Sequence, residues 1–92
     1  MTRFIANYTI VAGVSRVLIN HVTTIDNEGR LVSCEPFETE QADVRYIDSP
    51  VVIVPDDYQE GELSLNLQDT AKSLSTLSVP VGKRVRVVYN TL

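Results

Sequence analysis

Hydrophobic and polar residues alternate with a period of two along the first part of the chain. Within residues 3–12, one side carries Phe4, Ala6, Tyr8 and Ile10. Such alternation is typical of a half-buried β-strand. Residues 16–25 alternate in the same way. Because a short loop that contains Gly13 separates the two runs, the pattern predicts a β-hairpin.

A turn and a third strand follow the hairpin. Residues 26–29, Asp-Asn-Glu-Gly, predict a tight turn, because Asp and Asn hydrogen-bond to nearby backbone and Gly accepts left-handed geometry. Residues 30–35 then continue as a strand that Pro36 ends, which makes a three-stranded meander. The acidic residues 37–43 connect this meander to a short strand at 44–47.

The second half of the chain contains one continuous β-branched run and two alternating runs. Residues 51–54, Val-Val-Ile-Val, predict a strand that is covered on both faces and that Pro55 ends. Residues 63–67 alternate leucine with polar residues and predict another half-buried strand. Residues 83–89 form the last predicted strand, with its alternate valines and Tyr89 inward and its arginines outward.

The period changes between residues 69 and 77. Ala71, Leu74 and Leu77 lie three residues apart, and Asp69 or Thr70 is placed to cap a short helix. Serines within the same segment weaken this pattern, so the helix is an optional element of the predicted fold.

These elements predict a single β domain over residues 1–92. The fold class is all-β, a small β-sandwich or partly open β-barrel of six to seven mostly antiparallel strands, with room for one short helix. No βαβ pattern is present, so we do not expect a doubly wound parallel sheet. The predicted core contains Phe4, Tyr8, Ile10, Val17, Ile19, Leu31, Val52, Val54, Leu65, Val85 and Val87.

Composition narrows the class of protein. With 43% hydrophobic and 22% charged residues, the chain has the composition of an ordinary globular domain. The single cysteine, Cys34, excludes an internal disulfide. No segment reads as a signal peptide or reaches the ~18 apolar residues that a membrane span needs, so the sequence predicts a cytoplasmic protein without a membrane partner. The net charge of −4 disfavours nucleic acid as a partner.

The charges are segregated along the chain. All twelve carboxylates lie between Asp26 and Asp69, where only Arg30 and Arg45 oppose them, and both flanks carry only cations. Folding can bring the basic ends over the acidic middle, or the acidic face of one copy can meet the basic face of another. A solvated surface of mixed charge is the alternative interpretation.

Candidate catalytic and metal-binding residues are few. His21 is the only histidine, and on strict alternation it shares a face with apolar residues. A zinc site needs three or four ligands, and a Cys34–His21 dyad needs an oriented base and an oxyanion site as well. A thiol in a strand is usually inert packing. The sequence therefore predicts no catalytic residue, no metal ligand and no cofactor.

The densest group of carboxylates surrounds Tyr58. It consists of Asp56, Asp57, Glu60 and Glu62. Oxygen ligands of this kind suit hard cations such as calcium. The spacing does not match an EF-hand, however, and a solvated acidic loop explains it as well.

Two stretches resemble the amidohydrolase superfamily. They are residues 17–32, which contain Val-Leu-Ile-Asn-His-Val-Thr-Thr-Ile-Asp and Glu-Gly-Arg-Leu-Val, and residues 44–55, which contain Val-Arg-Tyr-Ile-Asp-Ser and Val-Val-Ile-Val-Pro. In that family this region is a small composite β domain beside a metal-bearing TIM barrel. Pro55 is not followed by the family's Gly-Phe-Ile-Asp and His-x-His metal pair, so no catalytic residue carries over. The resemblance implies an all-β domain that stands without the catalytic barrel; convergence on a β-meander is the alternative.

Three functions follow as hypotheses. The first is a non-enzymatic structural or interaction module that associates with itself, as a homo-oligomer, or with another protein. Its predicted surface consists of Asp56, Asp57, Glu60, Glu62, Lys83, Arg84 and Arg86. The second is a small-ligand or cation-binding domain that uses the acidic loop at 56–62. The third is a hydrolase remnant or subunit that completes the site of another chain.

Overall fold

The computed structural model describes residues 1–38, 44–58 and 67–89. In chain order, the described elements are β1 (Thr2–Val11), β2 (Leu18–Ile25), β3 (Leu31–Pro36), β4 (Arg45–Ile47), β5 (Val51–Pro55), α1 (Leu67–Leu74) and β6 (Val85–Tyr89). The six strands form one mixed sheet in the order β3-β2-β1-β5-β6, and β4 also pairs with β1. The prediction of a small all-β fold with one short helix is confirmed.

The predicted meander is confirmed, and its second turn is held by a side chain. Strands β1, β2 and β3 pair antiparallel in succession. Between β2 and β3, Asp26 Oδ1 accepts hydrogen bonds from the backbone N–H groups of Glu28 and Arg30, each at 2.9 Å. Gly29 takes the left-handed conformation with φ of +83°. The hydrogen bond from the Arg30 backbone is the main cause that lowers the pKa of Asp26, because it stabilises the ionised carboxylate.

The alternation of buried and exposed side chains along β1 changes phase in the middle of the strand. The prediction that Phe4, Ala6, Tyr8 and Ile10 share one buried face is therefore wrong. Phe4 and Ala6 point to the core inside the curled sheet, but Tyr8 is 42% exposed and Ile10 is buried on the other face. On the partner strand, Asn20 has a left-handed backbone with φ of +53°. The ladder between β1 and β2 keeps its register from Thr2–Ile25 to Thr9–Leu18, so the buried face of β1 changes without a β-bulge.

The same change of phase exposes Ile19, which lies opposite Tyr8 in the ladder. Ile19 is 62% exposed, so its predicted place in the core, like that of Tyr8, is wrong. Most other predicted core residues are where the pattern placed them. Buried are Phe4, Ile10, Leu31, Val52 and Val54, and half-buried against them are Val17, Val85 and Val87. Leu65 lies outside the described residues.

Strand β5 separates two hydrophobic clusters and is covered on both faces, as predicted. The inner cluster consists of Phe4, Ala6, Val11, Leu18, Leu31, Val51 and Ile53. The outer cluster consists of Ile10, Val52, Val54, Ala71 and Leu74. Alternate residues of β5 therefore enter opposite clusters, and α1 covers the outer one.

Most of the strand pairings are antiparallel, as the sequence predicts, and two are parallel. Strands β4 and β5 both run parallel to β1 along the edge that β2 leaves free. The other three pairings are antiparallel. Strands β4 and β5 follow β3 in sequence but pair with β1. The parallel pairings therefore join distant segments, and no local sequence pattern indicates them.

The outer strands β3 and β6 approach each other at one end of the sheet. Leu31 N–H donates to the Lys83 carbonyl and Val85 N–H donates to the Gly29 carbonyl, both at 2.9 Å. Gly82 N–H donates to the Leu31 carbonyl at 2.7 Å. The sheet is not a closed barrel, so the remaining edges of the two strands do not pair with each other within the described residues.

The helix begins earlier than the sequence predicts. It spans Leu67–Leu74, with Ala71 and Leu74 buried and Leu77 half-buried against the outer cluster. Leu67, predicted as the end of a strand, is the first helical residue, and the rest of that predicted strand, residues 63–66, lies outside the described residues. Among the described elements no helix has the length and apolarity to cross a bilayer.

Substitution of Gly13 tests how closely the loop between β1 and β2 packs against the segment that follows α1. Its φ is +86°, its N–H donates to the Leu74 carbonyl at 2.9 Å, and a Cβ there would lie 2.6 Å from the backbone nitrogen of Val79. We expect Gly13→Ala to lower the free energy of unfolding by about 3 kcal/mol, since backbone strain and a clash with main chain add.

Gly29→Ala is the matched control. Gly29 also has a left-handed backbone, but a Cβ there would meet nothing within 4 Å. We expect a loss of only about 1–2 kcal/mol from the backbone conformation. Urea unfolding measures the free energy of unfolding of both variants. Equal losses of this free energy would contradict the close packing around Gly13.

Candidate interaction surface

The antiparallel pairing of β5 with β6 brings distant charged residues to one end of the sheet. Asp56 N–H donates to the Arg84 carbonyl at 3.0 Å, one step beyond the pairing of Pro55 with Val85. A cleft of about 250 Å³ lies there, which we call the charged cleft. Its lining consists of Pro55, Asp56, Asp57, Lys83 and Arg84.

Two backbone turns hold the lining of the charged cleft. On the acidic side, Tyr58 N–H donates to the Pro55 carbonyl at 2.9 Å, which places Asp56 and Asp57 at the tip of a turn. On the basic side, Lys83 N–H donates to the Pro80 carbonyl at 3.0 Å. In the turn from Pro80 to Lys83, Gly82 is the third residue and supplies the left-handed backbone that such a turn needs.

The charges in the cleft are exposed and of both signs. The side chains of Asp56, Asp57, Lys83 and Arg84 all lie at the surface. Within the described part of the chain, no ion pair joins either carboxylate to either cation. An exposed ion pair contributes only about 0–1 kcal/mol, so folding does not require these charges to pair internally. They therefore remain available to a ligand or to another chain.

The other predicted surface residues have different positions. Arg86, predicted to point outward, is half-buried, and its guanidinium donates a hydrogen bond to the Tyr58 carbonyl. It thus ties β6 to the turn that carries Asp56 and Asp57. Glu60 and Glu62 lie outside the described residues.

Cys34 and His21 each have a polar neighbour of their own. Cys34 lies opposite Thr23 in the ladder, with Sγ 3.5 Å from Thr23 Oγ1, and packs against the inner cluster. His21 lies opposite Pro36, and its Nδ1 is 3.0 Å from the Ile19 carbonyl oxygen. Burial raises the pKa of the Cys34 thiol, which favours the unreactive protonated form.

Metal ligands do not cluster in the part of the chain that the structure describes. No group of three or more His, Cys, Asp or Glu side chains is placed there to hold a metal ion. Two of the four carboxylates of the predicted acidic loop, Asp56 and Asp57, are within this part. The cation-binding hypothesis therefore depends on Glu60 and Glu62, which are outside it.

An exposed apolar surface on β1, β2 and β4 is absent from the sequence predictions. Tyr8 and Ile19 form a cross-strand pair at the surface. Tyr46 is 59% exposed, and its hydroxyl donates to Asn7 Oδ1 at 2.6 Å. Strand alternation alone assigns Tyr8 and Ile19 to the core, because it does not show that the buried face of β1 changes between Ala6 and Ile10.

No protein-family model matches the chain, and neither the curated proteins nor the solved structures include a significant match. The similarity to the amidohydrolase β domain, carried by residues 17–32 and 44–55, therefore stays a prediction. A function for this protein is therefore inferred from the arrangement of its side chains.

The reactivity of Cys34 tests its environment. We expect native Cys34 at pH 8 to react with an aromatic disulfide at least about tenfold more slowly than in urea, because burial keeps the thiol protonated. Thr23→Val should slow the native reaction further, since the Thr23 hydrogen bond lowers the pKa of Cys34. Thr24→Val, a buried neighbour that lies opposite Ser33, is the control and should leave the rate unchanged. Equal rates in native protein and in urea would contradict this description.

Proposed function

We propose that the protein is a non-enzymatic interaction module that associates with itself. The observation that carries this proposal is the charged cleft, where two carboxylates and two cations lie together at the surface without ion pairs among the described residues. Charged groups arranged in this way select a partner and guide its approach more than they stabilise a fold. The partner that always carries the complementary charges is another copy of the same chain.

The open sheet supports an interaction role. Because the outer strands β3 and β6 meet only near Leu31 and Val85, parts of both edges are unpaired within the described residues. Proteins protect such edges or use them to bind another chain. The exposed Tyr8–Ile19 pair adds apolar surface on the neighbouring strands.

A small-ligand domain is the second candidate, and the cleft itself favours it. At about 250 Å³ the charged cleft is slightly below the usual range of ligand pockets, ~300–1,000 Å³. Its lining of both signs suits a small molecule that carries both a cationic and an anionic group. Self-association and ligand binding use the same side chains, so they exclude each other at this surface.

Salt dependence of the molar mass tests self-association. We expect light scattering at about 0.01 M salt, where the Debye length is ~30 Å, to give a mass above that of the 10.2 kDa chain. At about 1 M salt, where the length is ~3 Å, the mass should fall to the monomer value, because exposed charges are then screened.

A monomer at both salt concentrations, up to the highest protein concentration that stays soluble, would contradict self-association. In that case the charged cleft is free for a small ligand, and the second candidate takes its place. An oligomer that is unchanged at about 1 M salt would contradict the role of the charged cleft and point instead to the apolar surface or the sheet edges.

A further inference from the structure

We infer that the charged cleft is a twofold-symmetric contact, in which Asp56 and Asp57 of one copy meet Lys83 and Arg84 of the other. This inference rests on the proposed self-association and specifies its geometry. The partner is a second copy of this chain, seated with its own charged cleft against the first.

The placement of the charges on two adjacent turns leads to this geometry. The acidic turn follows β5 and the basic turn precedes β6, and the hydrogen bond from Asp56 to Arg84 fixes one beside the other. In a twofold contact both copies use the same patch. If residue i of the first copy contacts residue j of the second, residue i of the second copy also contacts residue j of the first. A twofold axis that lies in the contact plane and runs between the two turns, perpendicular to the line that joins them, places each carboxylate pair opposite a cation pair, twice over.

The alternative head-to-tail contact fits these observations less well. Such contacts need two separate complementary patches on each copy, and they form rings or open filaments. Here both signs line one cleft of about 250 Å³, so a single contact engages all four charged side chains of each copy. The association should therefore stop at two chains.

A pair of charge-swapped variants tests the contact. In Asp56→Lys/Asp57→Lys the cleft carries only cations, and in Lys83→Glu/Arg84→Glu it carries only carboxylates. Either variant alone brings like charges together, and we expect its self-association at low salt to weaken by about tenfold or more. Mixed in equal amounts, the two variants should form a heterodimer about as tight as the wild-type dimer, because every charge again meets the opposite sign.

Glu38→Lys/Asp48→Lys, at two positions outside the edge strands, is the matched control for net charge. It changes the charge of the chain by the same amount as the acidic swap, at exposed positions that do not line the cleft. We expect it to associate like the wild type. Far-ultraviolet circular dichroism and thermal unfolding check that each variant folds, which its exposed positions favour.

The outcomes separate the contact from the proposed function. If the wild type associates and both swapped variants associate equally well, the twofold contact is wrong while self-association stands. The same holds if the mixture stays as weak as the separate variants. If the wild type is a monomer at low salt, the proposed function itself is wrong.

Discussion

Strand β5 is buried on both faces, and its side chains join the two hydrophobic clusters. Val51 and Ile53 belong to the inner cluster, and Val52 and Val54 to the outer one. Full burial of each such side chain contributes about 1.5–3 kcal/mol, so a four-residue segment links the interior of the curled sheet to the layer under α1. Removal of β5 from its place would expose both clusters at once.

The position of the charged cleft follows from the same strand. Because β5 pairs parallel with β1 and antiparallel with β6, its end is fixed relative to both neighbours. The two carboxylates that follow Pro55 thereby lie beside the two cations that precede Val85, although they are 26 to 28 positions apart in sequence. A packed core thus determines which surface charges become neighbours, without those charges having to stabilise the fold.

Local patterns predict much of this fold because the physics behind them is local. The Asp26 turn, the start of β1 and the doubly covered β5 depend on side-chain chemistry within a few residues. The exposure of Tyr8 and Ile19 is not predictable from alternation, since the buried face changes within β1 and Ile10 packs in the outer cluster. The separation of acidic and basic segments along the chain suggested complementary surfaces. The acidic and basic turns of the charged cleft lie side by side because β5 pairs with β6. Pairing between such distant segments is not visible in any local sequence pattern.

Native-state hydrogen exchange tests whether β5 holds the two hydrophobic clusters together. If β5 joins the two clusters, the backbone amides of Val52, Ile53 and Val54 exchange only through global unfolding, with protection that matches the free energy of unfolding. The amides of β3, at the edge of the sheet, should exchange faster through local opening. Exchange of the β5 amides ahead of those of β3 would contradict this role of β5, because β5 would then leave the sheet while the rest stays folded.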